Sequence, residues 1–287
     1  MDEPSRPESL ESHRREVDEG RRFAFGRNWQ RFLRVVDEPR IAASQRDLLE
    51  MLDRSELSGV TFLDIGCGSG LSSLAALRAG AQVTAFDYDP EAVAATRALL
   101  EDRAPAGSTW RVLQGSVLDE DLMREIGHHD IVYSWGVLHH TGSMWQACEA
   151  AATAVPTGGT LFIALYNDAG KKSVVWTRWK QRYVGLPRGL RTVYAWSLIV
   201  AAEGMFLLRA LRKGQPSAWL RRWTSDRPVR GMSRYRDWID WIGGYPYEYA
   251  SVDEVIGRMT AQGLTLRRLI ENGGTGCNEF VLVRAAP

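Results

Sequence analysis

Three glycines and two acids carry the clearest chemical signal in this 287-residue sequence. In LDIGCGSG, residues 63–70, Gly66, Gly68 and Gly70 let the backbone turn tightly and approach a ligand closely. The segment joins an apolar run to a helical pattern, so the unpaired amides of the helix N-terminus lie beside whatever the loop holds. Asp64 precedes the loop by two residues, and Asp87 ends the next apolar run. A carboxylate at the tip of a second strand accepts hydrogen bonds from a ribose diol. Asp64, at the first strand tip, can face an ammonium group. A dinucleotide loop of the form GxGxxG needs glycine at position 71, where Leu71 stands, and the Gly-Lys-Ser/Thr ending of a Walker loop is absent. The ligand implied has a ribose and a positive charge but no phosphate. S-adenosylmethionine fits that description.

From residue 59 onward, short apolar runs alternate with helical stretches, the signature of βα units feeding a parallel sheet. The pattern predicts strands at 60–65, 82–87, 109–114, 130–135 and 159–166, with a first helix over 70–80 and Pro90 in the first turn of a second. A helix at 252–262 precedes strands at 264–270 and 279–284, joined as a hairpin by the glycine-rich turn ENGGTGCN. The predicted fold is therefore α/β: a Rossmann-like, seven-stranded, mostly parallel sheet with helices on both faces, the last strand antiparallel, and a largely helical insert after strand 5. The segments divide as 1–58, an N-terminal helical lid; 59–168, the cofactor-binding core; 169–250, a basic tryptophan-rich insert or substrate cap; and 251–287, a helix and strand pair completing the sheet.

The segments LDIGCGSG, FDYD, QGSVLD and SWGVLHH look like the successive motifs of class I S-adenosylmethionine-dependent methyltransferases of the small-molecule type, over about residues 59–167. The resemblance implies that Gly66, Cys67, Gly68 and Gly70 wrap the methionine part, with Asp64 by its amino group. It places the ribose at Asp87, the adenine beside Tyr88, and the adenine edge at Ser116 and Val117, and it gives Trp135 a backbone carbonyl at the mouth of strand 4. Similar enzymes fold a segment ahead of strand 1 over the cofactor. In FAFGRNWQRF, which also holds Phe23 and Phe32, Phe25 and Trp29 are the candidates for that lid, against simple helix packing. Cys67 reads as a small buried filler, since nothing basic adjoins it.

Methyl transfer from a sulfonium is a direct displacement, so the protein must align the reactants, exclude water and, for a hydroxyl or ammonium acceptor, remove a proton. His139 and His140, just beyond strand 4, are the candidate bases, with an ordinary pKa near 6.5 that suits the task; His140 is favoured, and the alternative is a packing role. His128 and His129 are expected at the surface. Tyr166, Asn167 and Asp168 close strand 5 on the side where ligands bind in such sheets, and could contact the acceptor or only shape a turn. The same two readings hold for Asp237, Asp240, Tyr245 and Glu248 in DWIDWIGGYPYEYA.

Formal net charge is +1, which excludes a uniformly basic nucleic-acid coat, but the charge is segregated. Residues 171–236 hold 16 Lys and Arg against Glu203 and Asp226, a local +14, leaving −13 elsewhere. The same segment carries Trp176, Trp179, Trp196, Trp219 and Trp223. A cap attracting an anionic small molecule leads, with arginines paired to the acidic core ranking nearly level with it; a nucleic-acid groove and then a peripheral membrane contact follow. The run VYAWSLIVAAEGMFLL, 16 residues with internal Glu203, falls short of the roughly 20 that span a bilayer and reads as a buried helix or a homodimer contact. An RNA methyltransferase ranks lower because the Asn/Asp-Pro-Pro-aromatic motif of many amino-methylating nucleic-acid enzymes is absent after strand 4; a non-catalytic cofactor-binding partner is the remaining alternative. Three widely spaced cysteines, Cys67, Cys148 and Cys277, carry no zinc or disulfide pattern. The charged first 20 residues lack an apolar signal region and are expected to fray or form an exposed helix, so a cytoplasmic chain with no metal site is predicted. The reading is a methyltransferase acting on oxygen or nitrogen of a small, possible anionic, acceptor, with S-adenosyl-L-homocysteine as product.

Overall fold

The computed structural model describes residues 7–26, 29, 36–217, 219 and 234–285. Five strands run parallel: β1 (Thr61–Ile65), β2 (Gln82–Asp87), β3 (Trp110–Gln114), β4 (Ile131–Trp135) and β5 (Thr160–Tyr166). β6 (Leu264–Ile270) and β7 (Cys277–Arg284) form the expected antiparallel hairpin, and β7 inserts antiparallel beside β5. Strand order is β3-β2-β1-β4-β5-β7-β6. β7 begins two residues earlier than the apolar pattern indicates because Cys277 and Asn278 pair with Tyr166 and Leu165.

Both faces of the sheet are covered, which explains why the parallel strands read as continuous apolar runs. Phe62 packs on one side with Leu57, Leu74 and Leu100. Its neighbours Leu63 and Ile65 pack on the other with Phe86, Val132 and Leu138. The helices start where the sequence supplies caps. Asp37 accepts from Arg40 N–H to open α2 (Glu38–Leu52), following α1 (Pro7–Asp18). α3 is Leu71–Arg78. Asp89 caps α4 (Pro90–Arg103) ahead of its first-turn proline, and Asp119 caps α5 (Glu120–Ile126). α6 is Met144–Thr153.

After β5 the chain builds α7 (Lys171–Gly185), α8 (Arg188–Arg212) and α9 (Arg234–Gly243). A Ser251–Glu254 capping box then opens α10 (Val252–Ala261), which leads into β6. The three insert helices share a small core of Tyr183, Val184, Ala195, Ile199 and Ile242, against which Phe23 from the N-terminal segment packs.

One expectation is narrowed and two are corrected. The N-terminal helix forms and exposes Glu11, Arg14, Arg15 and Asp18, but its inner face packs: His13 on α1 is buried and meets the Tyr88 ring edge-on at 5.2 Å. His129 is buried rather than at the surface, its N–H donating to Ala154 O at the start of β4. α8 is 25 residues long, not a 16-residue buried element, and Gly189–Arg212 is long and apolar enough to cross a membrane by length and composition, with most of its surface uncovered.

Candidate active site

Winding reverses between β1 and β4, and the loops that follow them splay apart at the strands' C-terminal ends, where open α/β sheets place their ligands. A cavity of about 910 Å³ opens there. One end is walled by Asp87, Tyr88, Ser116 and Val117, the middle by Asp64, Gly66, Cys67, Gly68 and Trp135, and the far end by His140, Tyr166 and Trp241.

The glycine loop is shaped by backbone bonds to β2: the N–H groups of Gly66 and Cys67 both donate to Phe86 O. Gly66 has φ +77°, and a Cβ on it would lie 2.3 Å from Val137 Cγ1, so no side chain fits. A Cβ on Gly68 would stand 3.2 Å from the Trp29 indole, which covers the loop from outside. Gly70 lies off the cavity and packs instead against Thr96 of α4. Cys67 accepts from Thr96 Oγ1 at 3.3 Å, and burial pushes its thiol well above the ordinary range, in keeping with a filler.

The two acids are held ready rather than neutralised. Asp87 Oδ2 accepts from Gly68 N–H at 3.0 Å and Oδ1 from Asp89 N–H at 2.9 Å, leaving one lone pair on each oxygen. Burial raises its pKa to about 6. Asp64 accepts from Ser73 Oγ at 2.5 Å. Burial first, and then the charge of Asp87, raise its pKa to about 7. Buried carboxylates in that condition gain from a cation and from hydroxyl donors. An aliphatic ammonium with a ribose diol supplies both, so the donor set fits S-adenosylmethionine.

The two histidines separate. His140 lines the cavity with its Nδ1 2.5 Å from Pro246 O. A carbonyl only accepts, so Nδ1 carries the proton and Nε2 keeps the lone pair. Burial, then the positive charge of Lys180, lower its pKa to about 3, so it stays neutral at physiological pH instead of titrating near 6.5. His139 sits outside the cavity wall, its Nδ1 accepting from Tyr166 N–H at 3.2 Å and its carbonyl from Glu248 N–H.

Tyr166 reaches the cavity, whereas its neighbours serve turns. Asn167 bonds Gly274 O and Asn278 Nδ2, and Asp168 accepts from Gly170 N–H. Glu248 accepts from Met144 N–H, closing the start of α6, where Ser143 provides no side-chain cap. Tyr245 binds the N-terminal segment through Phe23 N–H and does not line the cavity. The side chains of Asp237 and Asp240, and Phe32 and Trp223, lie outside the described residues.

The Phe25 ring lies 5.1 Å from the His140 ring, tilted by 47°. Several residues in the wall or behind it carry no local signal. Arg22 donates to His140 O at 2.8 Å and sits 4.9 Å over the Tyr88 ring, linking both cavity ends. Ser12 Oγ accepts from Tyr88 OH, and Asp89 Oδ2 accepts from Gly26 N–H at 2.7 Å. Lys180, buried, has its ammonium against Trp241 O and 4.8 Å over the Tyr247 ring. Only the acid before the α4 proline could have been found in the sequence, as a cap.

The sheet, the glycine loop and the two strand-tip acids define the class I methyltransferase fold. Residues 62–159 match the family model described as a methyltransferase domain. Among curated proteins, the chain is similar to the ubiquinone biosynthesis O-methyltransferase of Xanthomonas campestris pv. campestris (strain B100), 40% identical over 115 residues, covering 40% of this chain and 46% of that protein. The match thus spans less than half the relative's length. Among solved structures, magnesium protoporphyrin IX methyltransferase from Synechocystis PCC 6803, with bound SAH, aligns at TM-score 0.51 and 13% identity over 85% of this chain and 83% of that one. An O-methyltransferase family protein from Burkholderia thailandensis aligns at TM-score 0.51 and 15% identity, over 87% and 56%. The chain carries a methyltransferase domain, and S-adenosylmethionine is the cofactor that this domain and its donor set take.

Proposed function

We propose that the protein transfers a methyl group to an oxygen atom of a small-molecule acceptor seated between His140, Tyr166 and Trp241. The observation that carries this is the single continuous cavity, with the nucleoside-type walls at one end and these three side chains at the other, roofed by α1, Phe25 and Trp29. A roofed cavity suits a small acceptor better than a polymer. The oxygen rests on the relatives named as O-methyltransferases, similar to this chain over 115 residues.

When bound, the cofactor supplies a methyl group on a sulfonium, already activated for displacement. Asp87 accepts the ribose hydroxyls through its two remaining lone pairs, and Asp64 balances the ammonium. His140, fixed in one tautomer by Pro246, offers Nε2 to an acceptor hydroxyl. With its pKa near 3 and the charges of Lys180 and Arg22 opposing protonation, it orients and polarises that hydroxyl more readily than it takes the proton. An acceptor that arrives as an anion needs no base and is attracted by the same two cations.

The test is transfer of labelled methyl from S-adenosylmethionine to a fractionated cell extract. Label in low-molecular-weight material, either released as methanol by alkali (an ester) or alkali-stable and identified as a methoxy group in the isolated product (an ether), supports the reading. Label in RNA, or on nitrogen, overturns it. His140→Gln is expected to lower kcat by roughly tenfold, the scale of one neutral hydrogen bond to the acceptor, with cofactor affinity unchanged.

A further inference from the structure

We propose that the outward face of α8, together with the α7 surface beside it, is a docking surface for an anionic membrane, with α8 lying in the plane of the bilayer surface. Leu190, Val193, Trp196, Val200, Leu208 and Leu211 are each 48–66% exposed. Successive members mostly recur at three- or four-residue steps, so they form one stripe along a helix about 37 Å long at 1.5 Å per residue. Solvated stripes of this size on a helix mark interaction sites.

The opposite face decides the orientation. Ala195 and Ile199 are buried against the insert core, and buried Glu203 accepts from Trp219 Nε1 at 3.0 Å. A helix held in this way cannot be ringed by lipid without leaving its own domain, although its length would allow a span. It can lie on a bilayer with its free face down.

Charge selects the partner. Exposed Lys171, Lys172, Arg178 and Arg182 on α7 and Arg209, Arg212 and Lys213 at the end of α8 flank the stripe. From residue 171 to 217 the sequence contains one acid, the buried Glu203. A groove between the two helices is lined by Arg178, Arg182, Trp179 and Tyr194, with the tyrosine hydroxyl 3.5 Å from Trp179 O. Paired guanidiniums beside Trp and Tyr are the chemistry that receives a lipid phosphate at headgroup depth. A second copy related by a two-fold axis would instead bring equal cationic rims together. Anionic lipids enrich the cytoplasmic leaflet, the side on which a cytoplasmic chain would meet the membrane.

Flotation of the full chain with phosphatidylcholine vesicles, with and without roughly one-third phosphatidylglycerol, tests this. The expected result is binding at least about tenfold tighter to the anionic vesicles and weakening with salt. Val193→Glu/Val200→Glu/Leu208→Glu should lose at least about tenfold in binding with its affinity for S-adenosylhomocysteine intact, and Val200→Glu alone should lose a smaller part. Arg178→Gln/Arg182→Gln should reduce the preference for anionic vesicles. No binding to either vesicle, binding unchanged in the triple variant, or a soluble dimer that the triple variant dissociates would each overturn the proposal.

Discussion

The glycine-loop half of the molecule and the helical insert are opposites in what they bury. Around the loop, acids are inside: Asp64 is only 2% exposed, and burial raises its pKa to about 7. In the insert, large apolar side chains are outside, Val193 and Val200 being about two-thirds exposed, while Lys180 is inside. Each half departs from the ordinary rule of apolar in and charged out, and each departure reads as a place kept for something other than the chain itself. In the core that something is a cation bearing a ribose. On the insert it is a surface.

This contrast can be broken by substitution. Phe62→Ala, at a fully buried core position, is expected to destabilise the fold by about 3–5 kcal/mol, read by denaturant unfolding. A loss under 1 kcal/mol would mean that the sheet faces are less tightly packed than described. Gly66→Ala must relieve both the positive φ and the approach to Val137, costing about 1–3 kcal/mol and cofactor affinity together. Retained affinity would separate the loop from the site.

The pH dependence follows from the two acids. Their folded pKa values, about 7 and about 6, lie above the ordinary carboxylate value. Their contribution to the stability of the cofactor-free protein is therefore full below pH 4 and is lost as pH rises through 6 to 7. A bound cation reverses the loss, so the rise in Tm on adding S-adenosylhomocysteine should be larger at pH 8 than at pH 5. An equal rise at both would remove the acids as cation partners. The smallest effect belongs to the insert: Val200→Ser, on an exposed face, should change stability by within about 0.5 kcal/mol.

What could be read from the sequence follows the same division. The strands of the parallel sheet were visible as apolar runs because both their faces are covered, and the cofactor site because a loop of three glycines with acids at two strand tips is local in the chain. Residues that reach the site from far away left no such trace. Arg22 meets His140 O across 118 residues, and Gly26 meets Asp89 across 63. Trp241 and Lys180 look like any aromatic and any cation in a basic helix until α7 and α9 pack together. The role of α1 was hidden because a charged, proline-flanked segment reads as surface, and only its contact with Tyr88 makes it a wall. The face of α8 was misjudged because apolar periodicity shows that a face avoids water without showing whether this chain covers it.

Calorimetric titration of the wild-type chain and of Asp87→Ala with S-adenosylmethionine and S-adenosylhomocysteine bears most directly on the site. Both ligands should bind the wild type at one per chain. Loss of hydrogen bonds to a charged group, about 1.5–3 kcal/mol, should weaken both in the variant by roughly ten- to a hundredfold. Absence of binding to the wild type, or equal affinity in the variant, would contradict the assignment of this cavity.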